Sequence, residues 1–215
     1  MREQRTRVDF KILLSLFFLA LFLSGCVFFR KPTDAERYAI WSKKHGNEVL
    51  AYQQFLDEKA VGDIIPLSQL LKSARDWKKC KAEPYTMPPE ELWPNIVPTL
   101  LVVKKFKTEG VFINPVAASV YRDPTLNACA GGSPGSKHMQ LNAIDFDIDA
   151  TPESLETLCN AWRTQGAELK LGLGFYTPTK IHLDTLGYRS WGTDFTHKTS
   201  LCLQTEPRVE SKTSH

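Results

Sequence analysis

Beyond its first 25 residues the chain has no run of lysine and arginine and almost no net charge. The total is +3. Arg2, Arg5, Arg7 and Lys11, set against two acids, put +2 of it in the leading stretch, leaving about +1 for the rest. A nucleic-acid-binding domain needs a basic stripe that displaces counterions from phosphates, so that class is excluded. No period repeats along the chain, which excludes solenoids and propellers built from stacked identical units. No cysteines stand at zinc-knuckle spacing, so a structural Cys-rich zinc site is not expected. A partner must be sought through individual residues, not through bulk charge.

What is present begins with an address. A basic start is followed by an almost purely apolar run over 12–23, and Leu23-Ser24-Gly25-Cys26 then sets small residues before a cysteine. This is the layout of a bacterial export signal, and its last four residues resemble a lipobox. In lipoproteins the cysteine is acylated and heads the mature chain. The expectation is a signal peptide over 1–25, lipidation at Cys26 and a membrane partner through the lipid. The alternative is an uncleaved anchor, because 12–29 approaches the roughly 17–25 residues that span a bilayer. Ser15, Ser24 and Gly25 dilute that span. In either case the basic end stays in the cytoplasm. Val27 is not the Asp that often retains lipoproteins in the inner membrane, so the expected location is the outer membrane, facing the periplasm.

Four further cysteines follow: Cys80, Cys129, Cys159 and Cys202. An even number in an oxidising compartment implies two disulfides, with all three pairings open. A bridge from Cys80 or Cys202 would tie an outlying segment to the core.

Residues 34–60 read as helical, with Ala35, Tyr38, Trp41, Val49, Tyr52 and Phe55 at helical spacing among charged neighbours. Pro66 interrupts, and 67–77 reads as a second short helix. Pro84, Pro88, Pro89, Pro94 and Pro98 mark a stiff stretch. The expected division is a helical N-terminal segment with a Pro-rich linker over 26–90, a catalytic domain over 91–204 and a disordered tail over 205–215. Within the domain, 98–109 reads as a helix with Leu100, Leu101, Val103 and Phe106 inward, ended by Gly110. A strand is expected within 112–121, then a long Gly-rich loop. Residues 142–148 alternate, Ile144, Phe146 and Ile148 on one face and Asp145, Asp147 and Asp149 on the other. Thr151 caps a helix running to about Gly166, with Leu155, Leu158 and Trp162 inward. Strands are expected over 169–173 and 180–186.

Ser136-Lys137-His138, then Ala143-Ile144-Asp145, then Ile181-His182-Leu183-Asp184 supply two imidazoles and a carboxylate from separate extended segments. Six residues separate His138 from Asp145. That gap suits a ligand on a loop and a second on the following strand. Structural zinc sites are usually closed by four ligands, whereas three ligands leave a position for water. A zinc ion so held makes hydroxide available near neutral pH, which is what hydrolysis needs.

Ala118-Ser119-Val120-Tyr121-Arg122-Asp123-Pro124, Asn127, Gly131-Gly132, Ser136-Lys137-His138 and Ala143-Ile144-Asp145 resemble the zinc D-alanyl-D-alanine carboxypeptidase family, which also holds peptidoglycan endopeptidases. Gly172-Leu173-Gly174-Phe175-Tyr176, Ile181 to Thr185 and Arg189-Ser190-Trp191 resemble its second half. The blocks span about 98–192. The resemblance implies an α+β fold of the hedgehog/DD-peptidase type, with a small, mainly antiparallel sheet flanked by helices. It makes His138, Asp145 and His182 the zinc ligands and Arg122 the group for the substrate carboxylate or the oxyanion. Ser136 would hold the peptide or the loop, and Tyr176 and Trp191 are expected to pack. The implied activity is hydrolysis of peptidoglycan stem peptides or cross-links. Three positions depart from the family: Leu141 and Val120 stand where relatives have Gly, and Thr179 where many have the Glu that acts as general base. Asp184 is the substitute expected here, with orientation of His182 as its other reading. Asp147 and His197 are weaker candidates. The missing Glu also motivates an alternative: a non-catalytic envelope lipoprotein that grips cell-wall peptide or scaffolds a complex. The helical segment before residue 80 is a candidate arm for a protein partner.

Overall fold

The computed structural model describes residues 30–112 and 114–204. The leader, Cys26 and the tail from 205 lie outside the described residues. The chain divides into two units, Met1–Asp34 and Ala35–His215, and the sheet, the core and the site all lie in the second. Among the described residues no helix is long and apolar enough to cross a membrane.

The N-terminal part forms α1 (Asp34–Lys44) and α2 (Gly46–Glu58), broken at His45, whose ring lies on Trp41 with centroids 4.4 Å apart. Trp41, Tyr52 and Leu56 are buried. The next helix, α3, covers only Leu67–Leu70. The expected helix over 67–77 stops there because its backbone finds other partners. Thr86 N–H donates to the Leu71 carbonyl at 2.9 Å, Ser73 N–H donates to Pro84 at 3.1 Å, and Lys72 bridges Tyr85. The Pro-rich stretch contributes a 3₁₀ helix at Glu90–Asn95, with buried Trp93. Where the sequence suggests a boundary near residue 90, Tyr52, Leu56, Tyr85 and Trp93 belong to the same hydrophobic core as the sheet.

Helix α4 (Ile96–Thr108) ends before Gly110, which takes a positive φ of 71°. Leu100, Val103 and Phe106 are fully buried, but Leu101 is 49% exposed. Ile96 and Val102 take inward positions instead, because the apolar arc of a helix follows a 3.6-residue period.

The sheet has five strands in the order β1-β2-β4-β3-β5: β1 (Val116–Ser119), β2 (Ala143–Asp147), β3 (Gly172–Thr177), β4 (Lys180–Asp184) and β5 (Arg189–Trp191). All pairs are antiparallel except β3 with β5. The family-like α+β sheet expected from the sequence is therefore present. Strand β3 starts later than expected, because 166–171 is spent on a turn in which Leu171 N–H donates to Gly166 at 2.8 Å. Between strands lie α5 (Pro124–Cys129), capped by the Asp123 carboxylate, and α6 (Pro152–Gln165), started by a Thr151–Ser154 capping box.

Alternation divides the sheet into two faces. Ile144, Phe146, Leu173, Phe175, Ile181 and Leu183 are buried and share a core with α4 and α6. On the other face, register sets up one row across all five strands. Ser119 pairs with Asp145, Asp145 with His182, His182 with Gly174, and Gly174 with Trp191. Residues directly opposite in neighbouring strands point to the same side. The row therefore delivers an acid and an imidazole side by side. Two disulfides, Cys80–Cys129 and Cys159–Cys202, settle the pairing.

Candidate metal centre

His138 enters the row from a 3₁₀ turn at Lys137–Gln140 just before β2. The turn reverses at Leu141, buried with φ 56° and ψ 31°. This left-handed position explains the family's glycine there: only glycine adopts it without steric cost. Val120, the other departure, has no such conformation and offers its carbonyl to His138 Nδ1 at 2.6 Å. Nδ1 must then carry the proton, which leaves the lone pair of Nε2 facing inward.

Three atoms converge. His138 Nε2 lies 3.1 Å from His182 Nδ1 and 3.1 Å from Asp145 Oδ1, and His182 Nδ1 lies 3.0 Å from Asp145 Oδ1. A tetrahedral ion with bonds of about 2.1 Å separates its ligands by roughly 3.4 Å, so a small contraction is all that distinguishes this triangle. Among the described residues no second grouping of this kind occurs. All three side chains are buried.

His182 is oriented from behind. Its Nε2 lies 3.0 Å from Asp184 Oδ2. Asp184 also accepts from Arg189 at 3.1 and 2.5 Å and from Leu186 N–H at 2.9 Å. A carboxylate held by that many donors, on the far side of the imidazole from the ligand atoms, is placed to fix a ring. The sequence reading of Asp184 as proton acceptor gives way to its other reading, orientation of His182. Arg189, missed in the sequence, completes this contact.

Burial lowers the pKa of His138, favouring the neutral ligand form. Burial also works against charge on Asp145, but the two imidazoles outweigh it and hold the carboxyl well below its usual range. For His182 the burial effect is overcome by hydrogen bonds to Asp145 and Asp184, and its pKa is raised. A metal arriving here meets an anionic oxygen and the neutral nitrogen of His138, and binding at His182 favours its neutral form.

Arg122 is buried beside the triangle. Its Nε donates to Ser119 Oγ at 2.9 Å and an Nη donates to Asp145 Oδ2, while that Nη lies 3.3 Å from His138 Nε2. The Tyr176 hydroxyl donates to Asp145 Oδ1 at 3.2 Å. Burial, reinforced by Asp145, raises its pKa and keeps it a neutral donor. From the sequence Tyr176 is expected only to pack, whereas its hydroxyl reaches a ligand carboxylate. Alternation along β3 puts it on the face of Gly174, which was the available signal.

The centre opens into a cleft of about 790 Å³. Ser136 lines it, at the head of the 3₁₀ turn. The other walls are the 74–76 segment, the 130–135 loop and the aromatic rings of Tyr176, Trp191 and Phe195. Thr179, in the exposed β3–β4 turn, shares a hydroxyl contact of 3.3 Å with Thr177 and brings no carboxylate. Asp147 is turned to Arg75 at 2.7 and 2.8 Å. His197 is exposed on a short 3₁₀ turn. The carboxylates that line the cleft are those of Asp76 and Asp145.

A family model described as Peptidase M15 matches residues 67–184. No curated protein and no solved structure matches the chain.

Proposed function

The chain belongs to the peptidase M15 family, which makes it a metallopeptidase, and from that footing we propose that it hydrolyses peptidoglycan stem peptides or cross-links at a bond next to a D-amino acid, as a DD-carboxypeptidase or endopeptidase. The observation that carries this reading is the triangle of His138, Asp145 and His182, both imidazoles already turned ligand-first. We assign zinc to it, since two imidazoles and a carboxylate with an open fourth position suit a catalytic zinc, which when bound supplies Lewis acidity and hydroxide near pH 7.

The chain's own residues do the rest. Arg122 and the Tyr176 hydroxyl stand beside the triangle as donors for the charge that develops on a carbonyl oxygen. Asp184 keeps His182 in its tautomer. Asp76, exposed on the cleft wall, is the lining carboxylate outside the triangle, and we propose it as the acceptor of the attacking water's proton. Arg75, Arg122 and Arg189 are paired with Asp147, Asp145 and Asp184, and Lys137 and Lys180 against Asp76 leave the cleft weakly cationic, in keeping with a peptide that carries carboxylates. The leader motif supports a lipoprotein anchored through Cys26 in the outer membrane.

Mass spectrometry of muropeptides released from purified sacculi tests the activity and names the bond cut. His138→Ala should lose both bound metal and digestion; unchanged digestion would overturn the assignment. Asp76→Asn should keep the metal and lose about a hundredfold or more in kcat, the low end for general acid–base catalysis at 10²–10⁴. The absence of a carboxylate at Thr179 favours a second reading, a module that grips cell-wall peptide without cutting it. A purified chain that binds stem peptide yet holds no metal and releases nothing would establish that reading instead.

A further inference from the structure

Phe195 is 69% exposed and has a φ of +61°, two features an idle phenylalanine does not combine. A bulky residue in the left-handed region carries strain that its surroundings must hold in place. The surroundings do so. Phe195 N–H donates to the Gly192 carbonyl at 2.8 Å, and Gly192 N–H donates to Thr196 at 3.0 Å. Asp194 Oδ1 accepts from Thr196 N–H and from its hydroxyl, both at 2.8 Å, and from the Thr199 hydroxyl. A Cβ at Gly192 would lie 1.8 Å from the Thr199 carbonyl oxygen, so the turn closes only on glycine. At the base, the Ser190 and Ser200 hydroxyls meet at 2.6 Å, and Cys202 is bridged to Cys159. The turn is fixed at both ends and displays one ring.

That ring continues an aromatic surface running to the metal ligands. Phe195 lies 5.5 Å from Trp191 and 6.3 Å from Tyr176 between centroids. Trp191 lies 5.1 Å from Tyr176 and 5.6 Å from His182. Trp191 reaches inward because Gly174, beside it in the row, has no side chain; a Cβ there would sit 1.9 Å from the indole. All three rings line the cleft whose remaining charged rim is mostly cationic.

We infer that Phe195, Trp191 and Tyr176 form an apolar subsite that receives an aliphatic C–H face of the substrate beside the bond to be cut, with Phe195 the residue that determines its affinity. This deepens the proposed function and rests on it. In a cell-wall substrate, the shared chemistry has two sources: the methyl groups of alanyl residues and the face of a sugar ring.

The test is a binding titration of the zinc-loaded full chain, followed by tryptophan fluorescence. The two ligands are a stem peptide whose terminal D-alanyl-D-alanine amide is replaced by a non-hydrolysable methyleneamine, and the same peptide on its disaccharide. Phe195→Ala should weaken binding about tenfold, the share of a phenyl face removed from water, with metal content unchanged. Phe195→Leu, which restores an apolar side chain, should recover most of it. Loss for both ligands identifies the alanyl methyl groups as the occupant; loss only for the glycan-bearing ligand identifies the sugar ring. If Phe195→Ala binds both ligands as tightly as wild type, the subsite is overturned and the peptidase reading stands. If wild type binds neither, the cell-wall reading falls and the subsite with it.

Discussion

Leu141 shows at the scale of one residue how strain and burial oppose each other beside the site. Its left-handed backbone costs a non-glycine residue about 1–2 kcal/mol, yet its side chain is fully buried. Leu141→Gly would relieve the first and forfeit the second, which is worth about 2–5 kcal/mol when a buried leucine is truncated. Urea denaturation should find the variant less stable by roughly 1–3 kcal/mol. Asp184 gives a prediction with a pH signature. Burial raises its pKa, but hydrogen bonds from His182 and Arg189 outweigh this, and the folded value is depressed. Its contribution is therefore complete above the unfolded carboxyl's pKa of about 3.9 and is lost as pH falls through the folded value. In the metal-free protein, Asp184→Asn should be the less stable form at neutral pH, and the gap should narrow below about pH 3. A gap independent of pH would refute it. With metal, the same variant should lose about 10–100-fold in affinity. The ligands themselves were legible because each sits in a short, distinctive motif. Tyr176 and Arg189 were not, because their roles depend on which strand lies alongside.

At the scale of elements, what could be read tracks sequence distance. The alternation in β2 and the cap of α6 are local patterns, and both appear in the chain as they do in space. Strand β5 is three residues long and pairs in parallel with β3, so no local periodicity announces it. The helix expected over 67–77 failed for the same reason in reverse: a bridge to Tyr85 captured a segment with adequate helical spacing. The β3–β5 pairing makes Gly174 a sharp test. Gly174→Ala would put a methyl group where the Trp191 indole lies. The indole must leave, and its fluorescence should shift to the red while the metal is retained. A spectrum identical to wild type would contradict the packing described.

At the scale of the whole molecule, the N-terminal helices are part of the unit that carries the site. The family match starts at residue 67, but Trp41, Tyr52 and Leu56 already lie in the common core. Deleting residues 35–62 should give a chain that aggregates or melts far below wild type, seen by circular dichroism. A cooperative, active fragment would show instead that the segment is a dispensable arm.

The four thiols are shared between two margins of the cleft. Cys80 follows the 74–76 wall and joins Cys129, which leads into the 130–135 loop. Cys202 follows the Phe195 turn and joins Cys159 on α6. Neither bond involves a ligand residue: Asp145 and His182 are placed by strand register and His138 by the turn before β2. A chain still in its dithiol form would thus assemble a competent ion cage between slack jaws. Reduction should therefore spare ion binding while it loosens the two margins of the cleft.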